Sequence, residues 1–209
     1  FLTHVSSATV CEQTCASLAN LVANNDFLKE QLGQYHASDP ITVALQLHGS
    51  NPKVAAHVCL LLANMCGGSV ANGQQLLDRG ACEALVTVLN NNISSGNVSE
   101  HACSAISGMC FSEESTLRLT TGGACEAVLS AMFHHLGNHG GVSEFGCSAV
   151  TSLAERSVNI PLLLSLGISR VLIETLRNYE EDGAVVIADC QCIVKLAVAQ
   201  VVVVQLISR

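Results

Sequence analysis

Sulfur and imidazole are the groups best placed to do chemistry here: the chain of 209 residues carries 11 cysteines and eight histidines. Paired CxxC motifs would hold zinc, and a thiol or hydroxyl activated by histidine would serve as a nucleophile. No pair of CxxC motifs is present. His134, His135 and His139 cluster in HHLGNH with no carboxylate or cysteine beside them in the sequence, and they read as solvated side chains at a helix end. No nucleophile elbow, phosphate-binding loop or paired acid motif accompanies the Cys, Ser and His residues. The expectation is a protein that is not an enzyme, with no catalytic residue, no metal site and no cofactor.

The cysteines instead mark a period. HVCLLLANMC at residues 57–66 returns as HACSAISGMC at 101–110; Cys15, Cys59, Cys103 and Cys147 stand 44 residues apart, and Cys190 follows after 43. GACEALVTVL from Gly80 and GACEAVLSAM from Gly123 repeat at the same step, with a weaker copy, GISRVLIETL, from Gly167. Such a period means an array of stacked units. The five register cysteines are expected in the core as small hydrophobes. Cys66 and Cys110 recur at the end of the same segment, Cys82 and Cys125 recur beside the glycine, and Cys11 and Cys192 are single additions. Many unpaired thiols point to a reducing compartment, the cytoplasm, with nuclear and cytoskeletal settings also open.

Three helices per repeat are needed to position these residues. Ala55, Val58, Leu62 and Met65 around Cys59, and Ala102, Ile106, Met109 and Cys110 around Cys103, follow helical spacing and predict a long helix. A medium helix follows Gly80 or Gly123, and a short one spans Gln74 to Asp78 or Leu117 to Thr120. Gly80, Gly123 and Gly167 read as corners that need positive φ. His36 stands at the first corner with Pro40 after it, which predicts an irregular turn. NNNISSGN (90–97) and GNHGG (137–141) read as polar loops, and the Asn92 and Asn97 sequons are expected to be unmodified. YEEDG (179–183) reads as an acidic loop. The expected fold is all-α, a right-handed α-solenoid of one domain over 1–209. It comprises a partial repeat (1–22), repeats at 23–68, 69–112, 113–156 and 157–200, and the start of a further repeat (201–209). The absence of a polar cap at either end suggests a piece of a longer chain.

These features resemble the armadillo repeat proteins: a Gly-Ala corner, a second helix ending in leucines, and a long third helix closing on Leu-x-Asn-Leu, here Leu18, Asn20, Leu21 and Leu62, Asn64, Met65. The resemblance covers nearly the whole chain. HEAT arrays are the alternative, and the Gly-Ala corner argues against them. Membership implies a groove lined by the third helices, where an Asn row clamps the backbone of an extended peptide and Trp one turn earlier supplies pockets. In this chain the Asn row reads Asn20, Asn64, Gly108, Ser152 and Lys195, and the Trp row reads Ala16, Leu60, Ser104, Ser148 and Gln191. Without Trp, the lysine pockets of an importin-like receptor are missing, and Lys195 alone offers the basic lining of a catenin-like groove.

One turn earlier the same face carries Glu12, Ala56, Glu100, Glu144 and Ile187. Three glutamates would select a basic or mixed segment; the competing reading is that they complement the helix dipole and stay solvated. A net charge of −8 with nine Lys plus Arg disfavours nucleic acid. The run VVVVQLISR is far shorter than the roughly 20 apolar residues of a membrane span. The function expected is a non-catalytic scaffold holding an extended or helical segment of a protein partner along the concave long-helix face. Its lining would be Glu12, Ala16, Asn20, Leu60, Asn64, Glu100, Ser104, Glu144, Ser148, Ser152, Gln191 and Lys195. The alternatives are a structural subunit of a cytoskeletal or ciliary assembly, packing by its ends and convex side, and the regulatory arm of a larger enzyme.

Overall fold

Side-chain caps open most of the short and long helices, whereas the medium helices begin without one. The computed structural model describes the backbone of residues 2–207 and the side chains of residues 3–198; among them there are thirteen α-helices and no strand. A first long helix, α1 (Ala8–Val22), precedes four triplets in the order short, medium, long. These are α2 (Asp26–Gln34), α3 (Ser38–His48) and α4 (Pro52–Cys66); α5 (Val70–Asp78), α6 (Ala81–Asn91) and α7 (Gly96–Met109); α8 (Glu113–Thr121), α9 (Ala124–His134) and α10 (Gly140–Leu153); and α11 (Ile160–Ser165), α12 (Ile168–Asn178) and α13 (Gly183–Ile207). Asn51 caps α4 by accepting from the Lys53 amide at 3.1 Å, with Pro52 in the first turn, where a missing N–H costs nothing.

Two expectations about boundaries need correction. The short helices α5 and α8 start four residues earlier than the apolar pattern indicates, because Ser69 accepts from the Asn72 amide and Ser112 forms a capping box with Ser115. Residues 201–207, expected to open a further repeat, instead continue α13. No Gly, Pro, Ser or Asn interrupts residues 193–204 to stop it, whereas Gly67 and Gly68 follow α4.

The corners are left-handed, with φ of 79° at Gly80, 89° at Gly123 and 90° at Gly167. His36 makes the same turn at φ 52°, so the first corner is regular in path but carries a β-carbon in a strained region. Pro40 does no harm because it lies in the first turn of α3.

Beyond the corner, the chain stacks by rows. α1 packs on α4, α4 on α7, α7 on α10 and α10 on α13, while α3, α6, α9 and α12 form a second row. Between the rows lies an aliphatic core that includes Leu61, Leu85, Leu89, Ile106 and Met109. Among the described residues no single helix is long and apolar enough to cross a membrane; the apolar pair Ser157–Ser165 and Ile168–Asn178 is bent by 73°, and its residues Leu163, Ile168 and Val171 are buried in the core.

A polar row holds successive repeats together. His48 Nε2 lies 2.8 Å from the Val5 carbonyl, Asn92 Nδ2 donates to the Gly49 carbonyl at 2.6 Å, and His135 Nε2 lies 2.7 Å from the Ile93 carbonyl. Each side chain ends or follows a medium helix and reaches back one repeat. At the matching place in the last triplet, Tyr179 brings a buried hydroxyl without a partner. Asn92, read from sequence as a loop residue, is buried by this role.

Gly123→Ala is expected to lower unfolding stability by about 1–2 kcal/mol, since alanine pays the left-handed strain in full, while His36→Gly yields a gain below about 1 kcal/mol. Asn92→Ala, which strands the Gly49 carbonyl, is expected to lose about 1–3 kcal/mol. Urea unfolding monitored by helical circular dichroism measures all three.

Candidate functional site

The cysteines are packing residues. All 11 are free and nine are buried, with Cys110 half-buried and Cys190 exposed. Desolvation first, and Cys103 second, push the Cys59 thiol up to about 12, and burial does the same to Cys103, so neither supplies a thiolate near neutrality. Cys190 departs from its expected core place. It holds the register position of Cys147, yet among the described residues no long helix packs on the side of α13 facing away from α10.

The histidines also differ from the solvated cluster expected. His135 is buried against the Ile93 carbonyl, and burial, foremost, depresses its imidazole pKa. His139 finds a carboxylate that sequence adjacency does not show: its Nδ1 lies 3.6 Å from Oε2 of Glu100, one repeat earlier, while His101 Nδ1 lies 3.8 Å from Glu100 Oε1. Among the described residues no group of three or more His, Cys, Asp and Glu side chains is arranged to hold a metal ion.

The long helices present the expected rows along one face, but the side chains in them are partly committed. Asn64 donates through Nδ2 to the Ala19 carbonyl of α1 at 3.0 Å. Asn20 is exposed. At Gly108 a β-carbon would stand 3.1 Å from Cys66 Cβ, a close approach to the preceding long helix. Ser152 Oγ is 2.9 Å from Ser107 Oγ, and Lys195 Nζ is 2.6 Å from Glu155 Oε1, so the basic end of the row is neutralised within the chain. Ala16, Leu60, Ser104 and Ser148 are half-buried and Gln191 is exposed. Glu12 and Leu60 line a cleft of about 290 Å³ together with Ala56, His57 and His101. Gln191 and Lys195 line another of about 480 Å³ with Thr151, Cys190 and Val194.

The feature that stands out electrostatically lies between these clefts. Glu100 folds over the first turn of α10, where a β-carbon on Gly141 would collide with its carboxylate, and the His139 ring covers Gly96 in the first turn of α7. Burial, then Asp182, then Glu100 raise the Glu144 carboxyl pKa above its ordinary range. Glu100, Glu144 and Asp182 come from α7, α10 and the loop before α13, so successive repeats assemble a negative cluster. Asp182 was legible only as part of an acidic loop. Burial, foremost, lowers the His101 pKa, with His57 and His139 adding and Glu100 opposing.

No family model and no curated protein matches the sequence. Solved structures do. An engineered protein from a structural-genomics consortium superposes with a TM-score of 0.78 at 21% identity, over 91% of this chain and 76% of its own. A computationally designed armadillo repeat protein for modular peptide recognition gives 0.71 at 19%, over 88% and 74%. A designed armadillo repeat protein in complex with the peptide (KR)4 gives 0.70 at 19%, over 88% and 73%. The fold is therefore that of an armadillo-like repeat solenoid.

Thiol alkylation of the native protein, read by mass spectrometry, should modify Cys190 first and leave Cys59, Cys103 and Cys147 protected until unfolding. Labelling of the latter three at the rate of Cys190 would contradict the buried row.

Proposed function

We propose that the protein is a non-catalytic scaffold that holds an extended basic or mixed segment of a partner protein along its long-helix face. The carrying observation is the cluster of Glu100, Glu144 and Asp182, in which Glu144 is partly desolvated beside two other carboxylates and no lysine or arginine pairs with it among the described residues. A lysine or arginine side chain would relieve that repulsion, and a half-buried carboxylate interacts with a cation more strongly than a solvated one. The fold's kinship with designed armadillo proteins made for peptide recognition, one of them bound to (KR)4, supports the same reading. Asn20, Ser104, Ser148 and Gln191 would supply polar contacts along the segment, and the free oxygen of Asn64 an acceptor. The population of free buried thiols supports a reducing compartment such as the cytoplasm.

An end-packing role in a larger assembly is favoured by a different observation: Ile187, Val194 and Val198 on α13 are each about 60% exposed.

Fluorescence anisotropy with a labelled Lys-Arg octapeptide, against a Glu-rich control of equal length, tests the principal reading. Saturable binding of the basic peptide is expected, weakened about tenfold or more in the Glu100→Gln, Glu144→Gln double variant, since losing charge-assisted contacts costs about 1.5–3 kcal/mol each. Equal binding by the double variant, with helicity intact, would sink it.

A further inference from the structure

In the long-helix row, the position filled by Val58, Ala102 and Gly146 is small and apolar in three repeats and is then filled by Asp189. All four are buried, and Asp189 is 0% exposed. Its Oδ1 accepts from Cys147 Sγ on α10 at 3.4 Å, and its Oδ2 is buried with no partner. A buried carboxylate needs a cation or a full set of donors to stay ionised. Neither is present among the described side chains. The ionisable group facing it is the Cys147 thiol, a weak donor that reaches only Oδ1 and is itself pushed well up by Cys192 beside it and by burial. Lys195, one and a half turns along α13, is held by Glu155. On α12, Arg177 pairs with Glu174 at 3.2 Å, and α11 carries no charged residue. Glu144 on α10 faces Asp182 and Glu100 and adds only like charge.

We propose that Asp189 makes the docking of α13 on α10 proton-dependent, tight when the carboxyl is neutral and loosened when it ionises. Burial raises this carboxyl from 3.8 to about 6 in the docked helix, opposed in part by the Cys147 hydrogen bond. For an acid whose pKa is raised on docking, the stabilisation is complete below 3.8, is lost as pH climbs through about 6, and is absent at neutrality. Gln191 and Lys195 ride on α13, so the same titration sets how far the long-helix face extends as one rigid surface. That consequence rests on the peptide-binding reading, whereas the docking itself does not.

Hydrogen exchange read by mass spectrometry on the intact chain decides it, with amides of residues 185–196 compared with those of α7 after correction for intrinsic rates. Between pH 5.0 and 7.5 the α13 opening constant is expected to rise about tenfold relative to α7, the change a pKa moving between 3.8 and about 6 produces over that range. Asp189→Asn and Asp189→Ala, the latter restoring the residue type of position 102, should remove the pH response. A wild-type α13 with no pH response, or variants that keep it, would overturn the proposal. Absence of peptide binding with the exchange result intact would remove the functional reading alone.

Discussion

The distance at which one long helix can lie on the next governs this molecule above the level of the single repeat. Packed helices approach to about 8–10 Å only when the residues at the contact are small. Cys59, Cys103 and Cys147, with Ala105 and Ala149, are small, fully buried residues on these long helices. The packing of long on medium helices is also tight: a β-carbon on Gly146 would press into the Met132 side chain of α9 at 2.5 Å. Cysteine fits here because it is larger than alanine yet unbranched, and burial holds it as a thiol. The long helices also come close at Gly108, where a β-carbon would stand 3.1 Å from Cys66 Cβ.

Helices this close must dispose of backbone groups at their ends, and buried polar groups go unpaired only at a cost. The chain solves this with side chains that reach back one repeat: His48, Asn92 and His135 to loop carbonyls, and Asn72 to the Lys29 carbonyl as well as to Met65. Of six buried polar side-chain atoms without a partner among the described residues, Thr42 Oγ1, Ser99 Oγ and His139 Nδ1 fall one in each of the first three triplets, and Thr175 Oγ1, Tyr179 Oη and Asp189 Oδ2 gather in the last. An array whose stability is a sum over neighbouring interfaces is then weakest where these satisfactions fail.

What the sequence disclosed follows the same division. Helix order and corner position obey local rules: an apolar period within a helix and a residue able to take positive φ after it. Even His36 was legible as a corner by its spacing, although its type suggested irregularity. The reach-back contacts were not legible, because their acceptors are backbone carbonyls and the donors change from His to Asn to His. Glu100 and His139 are 39 positions apart and meet only through the stacking of α7 on α10. Cys190 kept the register and lost the environment, since register specifies a face of a helix and burial depends on what lies against that face. The starts of α5 and α8 are set by the Ser69 and Ser112 caps, four residues ahead of where the apolar period becomes visible.

The glutamates on the long-helix face differ from charges that only complement a helix dipole. A carboxylate that merely complements a helix dipole gains a few tenths of a kcal/mol and does best fully solvated. Glu100 and Glu144 are instead half-buried, close enough to each other and to Asp182 that Glu144 holds its proton more tightly than a free side chain. Nothing in the packing requires this arrangement: Ala56 and Ile187 fill the same row in other repeats. Carboxylates gathered at the expense of their own hydration, on a face built from rigid stacked helices, leave an electrostatic deficit that a positively charged partner would offset with little reorganisation.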